Sequence, residues 1–190
     1  MVPGGLTEAD EAAIARLARR AVEYAVREGR ALEVNPRELP AILAENAACF
    51  VTLKKNGELR GCIGSLEAHR SLAEDIADNA WAATRHDPRF TPVVQGELPQ
   101  LRVSVSVLTP PEPLPFRDEE DLLSQLRPGV DGLLLAHAHG RGTFLPEVWR
   151  ELPDPQLFLA HLKRKAGLSP DHSLRGVTVS RYRSHHIEAA

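Results

Sequence analysis

Apolar residues recur every three to four positions in TEADEAAIARLARRAVEYAVREG, where Ile14, Leu17, Ala18, Ala21, Val22 and Ala25 form one stripe. That period predicts an amphipathic helix over about residues 8–28, with one face buried and one charged. Thr7 stands where an N-cap belongs, acids fill the first turn, and Gly29 is the stop. The pattern then changes. ACFVTLKK and ELRGCIGS are rich in strand formers and flank Asn56-Gly57. Those two residues tolerate positive φ, so an antiparallel hairpin over residues 47–65 is predicted. Ser71 and Glu74 have the spacing of a capping box and open a second helix, with Leu72, Ile76 and Ala80 on one side. It runs to Thr84 and stops before Pro88, which cannot continue it.

In LRVSVSVL, Leu101, Val103, Val105 and Val107 alternate with Arg102, Ser104 and Ser106, the period of a half-buried strand. The proline-rich TPPEPLP is an extended connection. DEEDLLSQLRPG then predicts a short helix, DGLLLAHA a strand and HGRG a turn. PDPQLFLAHLKRKAG predicts a third main helix with Leu157, Phe158, Leu162 and Ala166 inward, and GVTVSRYRSHHIE a final strand. Strands and helices interleave without internal repeat. The expected fold is α/β (α+β), with a mixed, largely antiparallel sheet flanked by helices.

Composition narrows the class. A chain of 190 residues buries a real core and fits one domain spanning residues 1–190. Its net charge of −3 argues against a dedicated nucleic-acid binder. No charged-then-apolar leader opens the sequence and no apolar run approaches about 18 residues. A cytoplasmic protein that does not span a membrane is expected. Cys49 and Cys62 lie on neighbouring predicted strands, where a bridge is geometrically feasible; free thiols in a reducing cytosol are the simpler expectation.

LRGCIGS raises the main chemical question, because Cys62 sits between Gly61 and Gly64. Interior strand glycines mark either a bulge or the close approach of another group. If a ligand approaches, Gly61 and Gly64 leave amides open to it. If Cys62 is a nucleophile, a cation or helix N-terminus must favour its thiolate. Arg60, two residues away on the strand, shares its face unless a bulge intervenes. The helix opening at Ser71 would aim its first amides back at the strand end, a geometry that suits anions. Against this stands the bland reading that Cys62 is a small buried apolar residue.

Several motifs carry no chemistry on spacing alone. His137, His139, His185 and His186 do not form a recognisable zinc set, and solvation is expected for them. No metal and no cofactor are expected. Lys163, Arg164 and Lys165 read as a solvated helix face. GGLTE and GCIGSLE match neither a phosphate loop nor a dinucleotide fingerprint.

LRGCIGS, DPRF, SVSVLTPPEPL, GVDGLLL, TFLPEVW, LKRKAGL and RYRS, in that order, resemble the AMME syndrome candidate protein family, the AMMECR-one domain. Its bacterial and archaeal members are also called AmmeMemoRadiSam system protein A. The resemblance runs from about Leu6 to His186, and LRGCIG is its most specific part. The chain departs from the family at RFTP, where a second proline is usual, and His137 and His139 fall outside any family motif. The resemblance implies a larger and a smaller lobe with a cleft near the hexapeptide, and association with Memo-like and radical-SAM-like proteins. It implies no reaction.

Two function classes follow. One is a binding or accessory module with a glycine-rich cleft around Cys62. The other is an enzyme using Cys62 as nucleophile in group transfer. Candidate bases are His69, His86, Asp87, Glu147 and His161, of which Asp87 and Glu147 lie in motifs shared with the family. Candidate ligand-binding residues are Arg60, Gly61, Gly64, Asp87, Arg89 and Lys165.

Overall fold

In the computed structural model, which describes residues 5–189, the chain divides into two compact units. One comprises the residues up to Pro110 together with those from His185 onward; the other is Pro111–Ser184.

The first unit opens with helix α1 (Glu8–Glu28). Thr7 caps it through a full capping box with Asp10, and Gly29 ends it at φ 72°. Every residue of its predicted stripe is buried. A single-turn helix α2 (Ala41–Ala44) leads to strand β1 (Cys49–Lys55), which returns as β2 (Glu58–Gly64). Asn56 and Gly57 both take positive φ, 53° and 87°, as a tight hairpin of this hand requires. Helix α3 (Leu72–Arg85) is capped by the Ser71–Glu74 box, and strand β3 (Leu101–Leu108) completes the central part of the sheet.

Strand β8 (Ser184–Ala189) adds the last member, giving the order β2-β1-β3-β8. The pairings β1–β2 and β1–β3 are antiparallel. Helices α1 and α3 pack on one another and on this sheet. Cys49, Val51 and Leu53 of β1, with Val103, Val105 and Val107 of β3, join the core beneath them. Ser104 and Ser106 are buried too, so β3 is more enclosed than its alternation suggests.

The second unit carries β4 (Glu112–Pro113), α4 (Glu119–Gln125), β5 (Gly132–His137), β6 (Gly140–Phe144), α5 (Pro155–Lys165) and β7 (Thr178–Tyr182). Its sheet has the order β4-β7-β5-β6, antiparallel throughout. Trp149 stacks on Phe158 at 3.7 Å over a core that includes Leu133, Leu135, Leu159 and Leu162.

Three sequence expectations are corrected. GVTVSRYRSHHIE is two strands in two sheets, because the chain leaves β7 after Tyr182 and enters β8 at Ser184. Leu157 is 54% exposed, and Leu159 is the buried neighbour instead. Lys163 is only 1% exposed; its Nζ donates to Glu119 at 2.7 Å and to the Pro170 carbonyl at 3.0 Å. A lysine so placed ties α4 to α5 and to the loop beyond it.

Candidate functional site

The hairpin sets Cys62 near the far end of β2, opposite Thr52. The register is not the one a simple two-residue turn gives. Leu53 pairs with Gly61 and Lys54 with Leu59, so Arg60 is an extra, bulged residue. The bulge breaks the alternation that would put Arg60 beside Cys62. Arg60 turns to Glu97, with both Nε and Nη2 at 3.0 Å from its carboxylate, and also donates to the Thr91 and Pro92 carbonyls. Lys55 adds a third hydrogen bond to Glu97. Arg60, first, then the Val94 amide and Lys55 hold the Glu97 carboxyl down at about pKa 2.

Both glycines answer to packing. A Cβ on Gly61 would stand 2.3 Å from the Ala83 carbonyl oxygen of α3. A Cβ on Gly64 would stand 2.3 Å from the Phe50 ring and 2.6 Å from the Cys49 carbonyl oxygen. Neither has positive φ, so close approach of neighbouring groups is the reason, and it is the protein's own structure that approaches.

Cys62 is partly buried and, like Cys49, is not in a disulfide. The Thr52 hydroxyl donates to its Sγ at 3.2 Å. Its backbone is gripped from the DPRF turn. The Cys62 amide donates to Asp87 Oδ2 at 2.9 Å, and its carbonyl accepts from Arg89 Nη2 at 3.4 Å. Asp87 and Arg89 are themselves joined twice, Nη2 to Oδ2 at 2.7 Å and Nε to Oδ1 at 2.9 Å, and the Arg89 amide adds a bond at 3.1 Å. The Arg89 hydrogen bond, with the Cys62 and Arg89 amides, pulls the Asp87 carboxyl down to about pKa 2 against the opposing effect of burial. Arg89 is made more basic than usual, chiefly by Asp87 and in smaller part by Cys62. Phe90 lies near both guanidiniums, 5.5 Å from Arg89 and 6.0 Å from Arg60.

Cys49 is a different thiol. It is fully enclosed, and burial, then the charge of Asp75, pushes it well above the ordinary range. Asp75 accepts from the Cys49 amide, Ser65, Arg70 and Asn79, which binds α3 to the start of β1 and the end of β2. The opening of α3 is also occupied. The Leu72 amide donates to the Glu45 carbonyl and the Glu74 amide to Ser71, so these amides are not offered to an anion.

Arg60, Gly61, Cys62, Gly64, Asp87 and Arg89 therefore share one unit, while Glu147 and Lys165 belong to the other. Glu147 accepts from Ser184 at 3.2 Å, and Lys165 lies 5.1 Å from the Phe144 ring. His86 is exposed and packs edge-on to Trp81. The other histidines are less idle than expected. His137 bonds the Ala166 carbonyl at 2.9 Å, His185 pairs with Glu11 at 2.7 Å, and His186 pairs with Glu188 at 3.1 Å. Among the described residues no group of three or more His, Cys, Asp or Glu side chains could hold a metal, and no helix is long and apolar enough to cross a membrane. One groove of about 680 Å³ lies in the second unit between residues 113–119 and 173–179; another of about 550 Å³ lies in the first beside Leu32, Arg70 and Asp78. No predicted site residue lines either.

Sequence reasoning missed Thr52 and Glu97. Thr52 was hidden by the bulge, since an unbroken ladder puts Val51 opposite Cys62. Glu97 lies 37 residues from Arg60 with no motif to link them.

The AMMECR1 family model matches residues 15–187. A Methanothermobacter thermautotrophicus protein is 42% identical over 159 residues, covering 83% of this chain and 82% of that one. Protein MJ0810 of Methanocaldococcus jannaschii is 39% identical over 153 residues, covering 78% and 76%. The crystal structure of the uncharacterized protein PH0010 from Pyrococcus horikoshii superposes with a TM-score of 0.84 at 35% identity, covering 94% of this chain and 91% of that one. A family match over nearly the whole chain, with relatives of this identity and the same fold, establishes that the protein belongs to the AMMECR1 family.

Proposed function

We propose that this AMMECR1-family protein is a cytoplasmic binding or accessory module whose recognising surface surrounds Cys62. The observation that carries the reading is the commitment of Asp87. It is the carboxylate that reaches the Cys62 backbone, and its hydrogen bonds hold it at about pKa 2. A group so acidic is a poor acceptor for a thiol proton at neutral pH. The Thr52 hydroxyl donates to Sγ, which steadies the sulfur without serving as a base. What remains at the surface is a recognition set: a partly buried thiol, the half-exposed Arg89 and the Phe90 ring, 5.5 Å from the Arg89 guanidinium and 6.0 Å from that of Arg60. Two cysteines outside any disulfide suit a reducing compartment. The Memo-like and radical-SAM-like proteins implied by the family resemblance are the proposed partners.

A second reading keeps Cys62 as a nucleophile. It is favoured by the Thr52 hydrogen bond and by the nearby charge of Arg89, both of which stabilise a thiolate. One experiment separates the two. The Memo-like and radical-SAM-like proteins of the same organism are titrated calorimetrically into wild type, Cys62→Ser and wild type alkylated at Cys62. The module reading expects binding in wild type, retained within about threefold by Cys62→Ser and lost on alkylation. Binding by none of the proteins, or equal binding by the alkylated form, overturns it. A covalent adduct on Cys62 in protein isolated from native cells would instead support the enzyme.

A further inference from the structure

Strand β2 is the outer strand of its sheet, and an outer strand presents unpaired backbone groups to any other strand. At Cys62 those groups are already taken. The amide meets the Asp87 carboxylate and the carbonyl meets the Arg89 guanidinium. One acceptor and one donor thus stand where a neighbouring strand's carbonyl and amide would stand. The two side chains are fixed to each other by two hydrogen bonds, so they act as one piece. Two residues back, the Arg60 bulge disrupts the same edge. Arg60 is held there by Thr91, Pro92 and Glu97. All five partners come from the connection between α3 and β3, which contains no strand. That connection covers the sheet edge with side chains and two carbonyl groups instead of a ladder.

We propose that Asp87 and Arg89 form a built-in cap that keeps β2 from pairing, edge to edge, with a second copy of this chain. The occupant excluded is a second copy because β2 is antiparallel-competent and its free edge is self-complementary. Two copies related by a twofold axis near Cys62 would exchange the very amide and carbonyl that Asp87 and Arg89 now hold. With Cys62 capped and Arg60 bulged, the edge left is Glu58 and Leu59 on one side and Ile63 and Gly64 on the other, each too short to pair.

The test uses the full chain and two readouts. In wild type, hydrogen exchange of the Cys62 amide should be at least tenfold slower than that of an exposed amide outside any helix or strand, such as Gly5. In the Asp87→Ala/Arg89→Ala variant, that protection should fall at least tenfold in dilute solution. Its mass by light scattering should rise with concentration toward twice that of wild type measured in parallel. A folded double variant that keeps the wild-type mass at every concentration overturns the proposal, as does an unprotected Cys62 amide in wild type. If the double variant does not fold, Asp87→Ser/Arg89→Ala carries the test, because a short polar side chain fits the place of the buried carboxylate while both the Cys62 amide and carbonyl are released. A mass that rises with concentration supports the cap, and an unchanged mass refutes it.

Discussion

Replacing Gly61 by alanine tests whether this glycine serves packing. The added Cβ would lie 2.3 Å from the Ala83 carbonyl oxygen and 3.6 Å from Leu53 Cδ1. The first distance is about 1 Å inside an ordinary carbon–oxygen contact. The obstructing atom is backbone of α3, so no side-chain rotation relieves it, and the helix or the strand must move. Overpacking of this kind costs about 1–3 kcal/mol, and a rigid neighbour puts the expected loss at ~2–3 kcal/mol. For a chain of this size that lowers the melting temperature by ~4–12 °C. Thermal unfolding followed by circular dichroism measures it. Gly96→Ala is the control, since its Cβ meets nothing within 4 Å. It should stay within about 0.5 kcal/mol of wild type. A Gly61→Ala protein that melts within about 1 °C of wild type would refute the reasoning.

Three further predictions concern acid stability, thiol reactivity and Lys163. Asp87 and Glu97 both fall to about pKa 2 in the folded protein, from ordinary values of 3.8 and 4.5. The stability they supply is therefore present above about pH 4.5 and lost as pH falls toward 2. Melting temperature against pH should drop in that window, and an Asp87→Asn/Glu97→Gln variant should show a shallower drop; equal slopes would count against both ion pairs. Brief iodoacetamide treatment of folded protein should label Cys62 well before the enclosed Cys49, as read by peptide mass spectrometry; labelling at equal rates would contradict the burial difference. Lys163→Ala should destabilise the second unit by ~2–4 kcal/mol, and Lys163→Met, which keeps the packing, by ~1–2 kcal/mol less. Identical chemical-denaturation midpoints for wild type and both variants would mean that the hydrogen bonds to Glu119 and Pro170 contribute nothing.

Much of the first unit was legible because its signals are local. The α1 stripe, the Thr7 and Ser71 capping boxes and the Asn56-Gly57 turn each act over a few residues, and each appears where its pattern puts it. In the second unit α4, β5 and α5 were legible for the same reason, but β6 was not: HGRG was expected to be a turn, and the turn is over at His139, with Gly140–Gly142 already in the strand. Register and partners were not legible. The bulge at Arg60 shifts every later pairing of β2 by one residue, and the neighbouring Gly61 signals a bulge or a close approach without saying which. Leu157 and Leu159 flank Phe158 on opposite sides of α5, and with Leu162 and Ala166 the helical period turns the stripe toward Leu159, so the expectation of an inward Leu157 took the wrong flank. Lys163 looks solvated beside Arg164 and Lys165 until Glu119, 44 residues away, is seen to reach it. Within the candidate site, Cys62, Asp87 and Arg89 could be nominated by motif. That Asp87 and Arg89 grip the Cys62 backbone, and that the glycines fit against Ala83 and Phe50, are long-range facts that only the fold supplies.

The central claim is that Asp87 is a committed clamp on Cys62 and not a base awaiting its thiol. The most direct measurement is the titration of the Asp87 carboxyl carbon by nuclear magnetic resonance, compared between wild type and Arg89→Ala. The account predicts a midpoint of about 2 in wild type, rising toward the ordinary aspartate value once Arg89 is removed. A wild-type midpoint at or above about 4, unmoved by loss of Arg89, would contradict it.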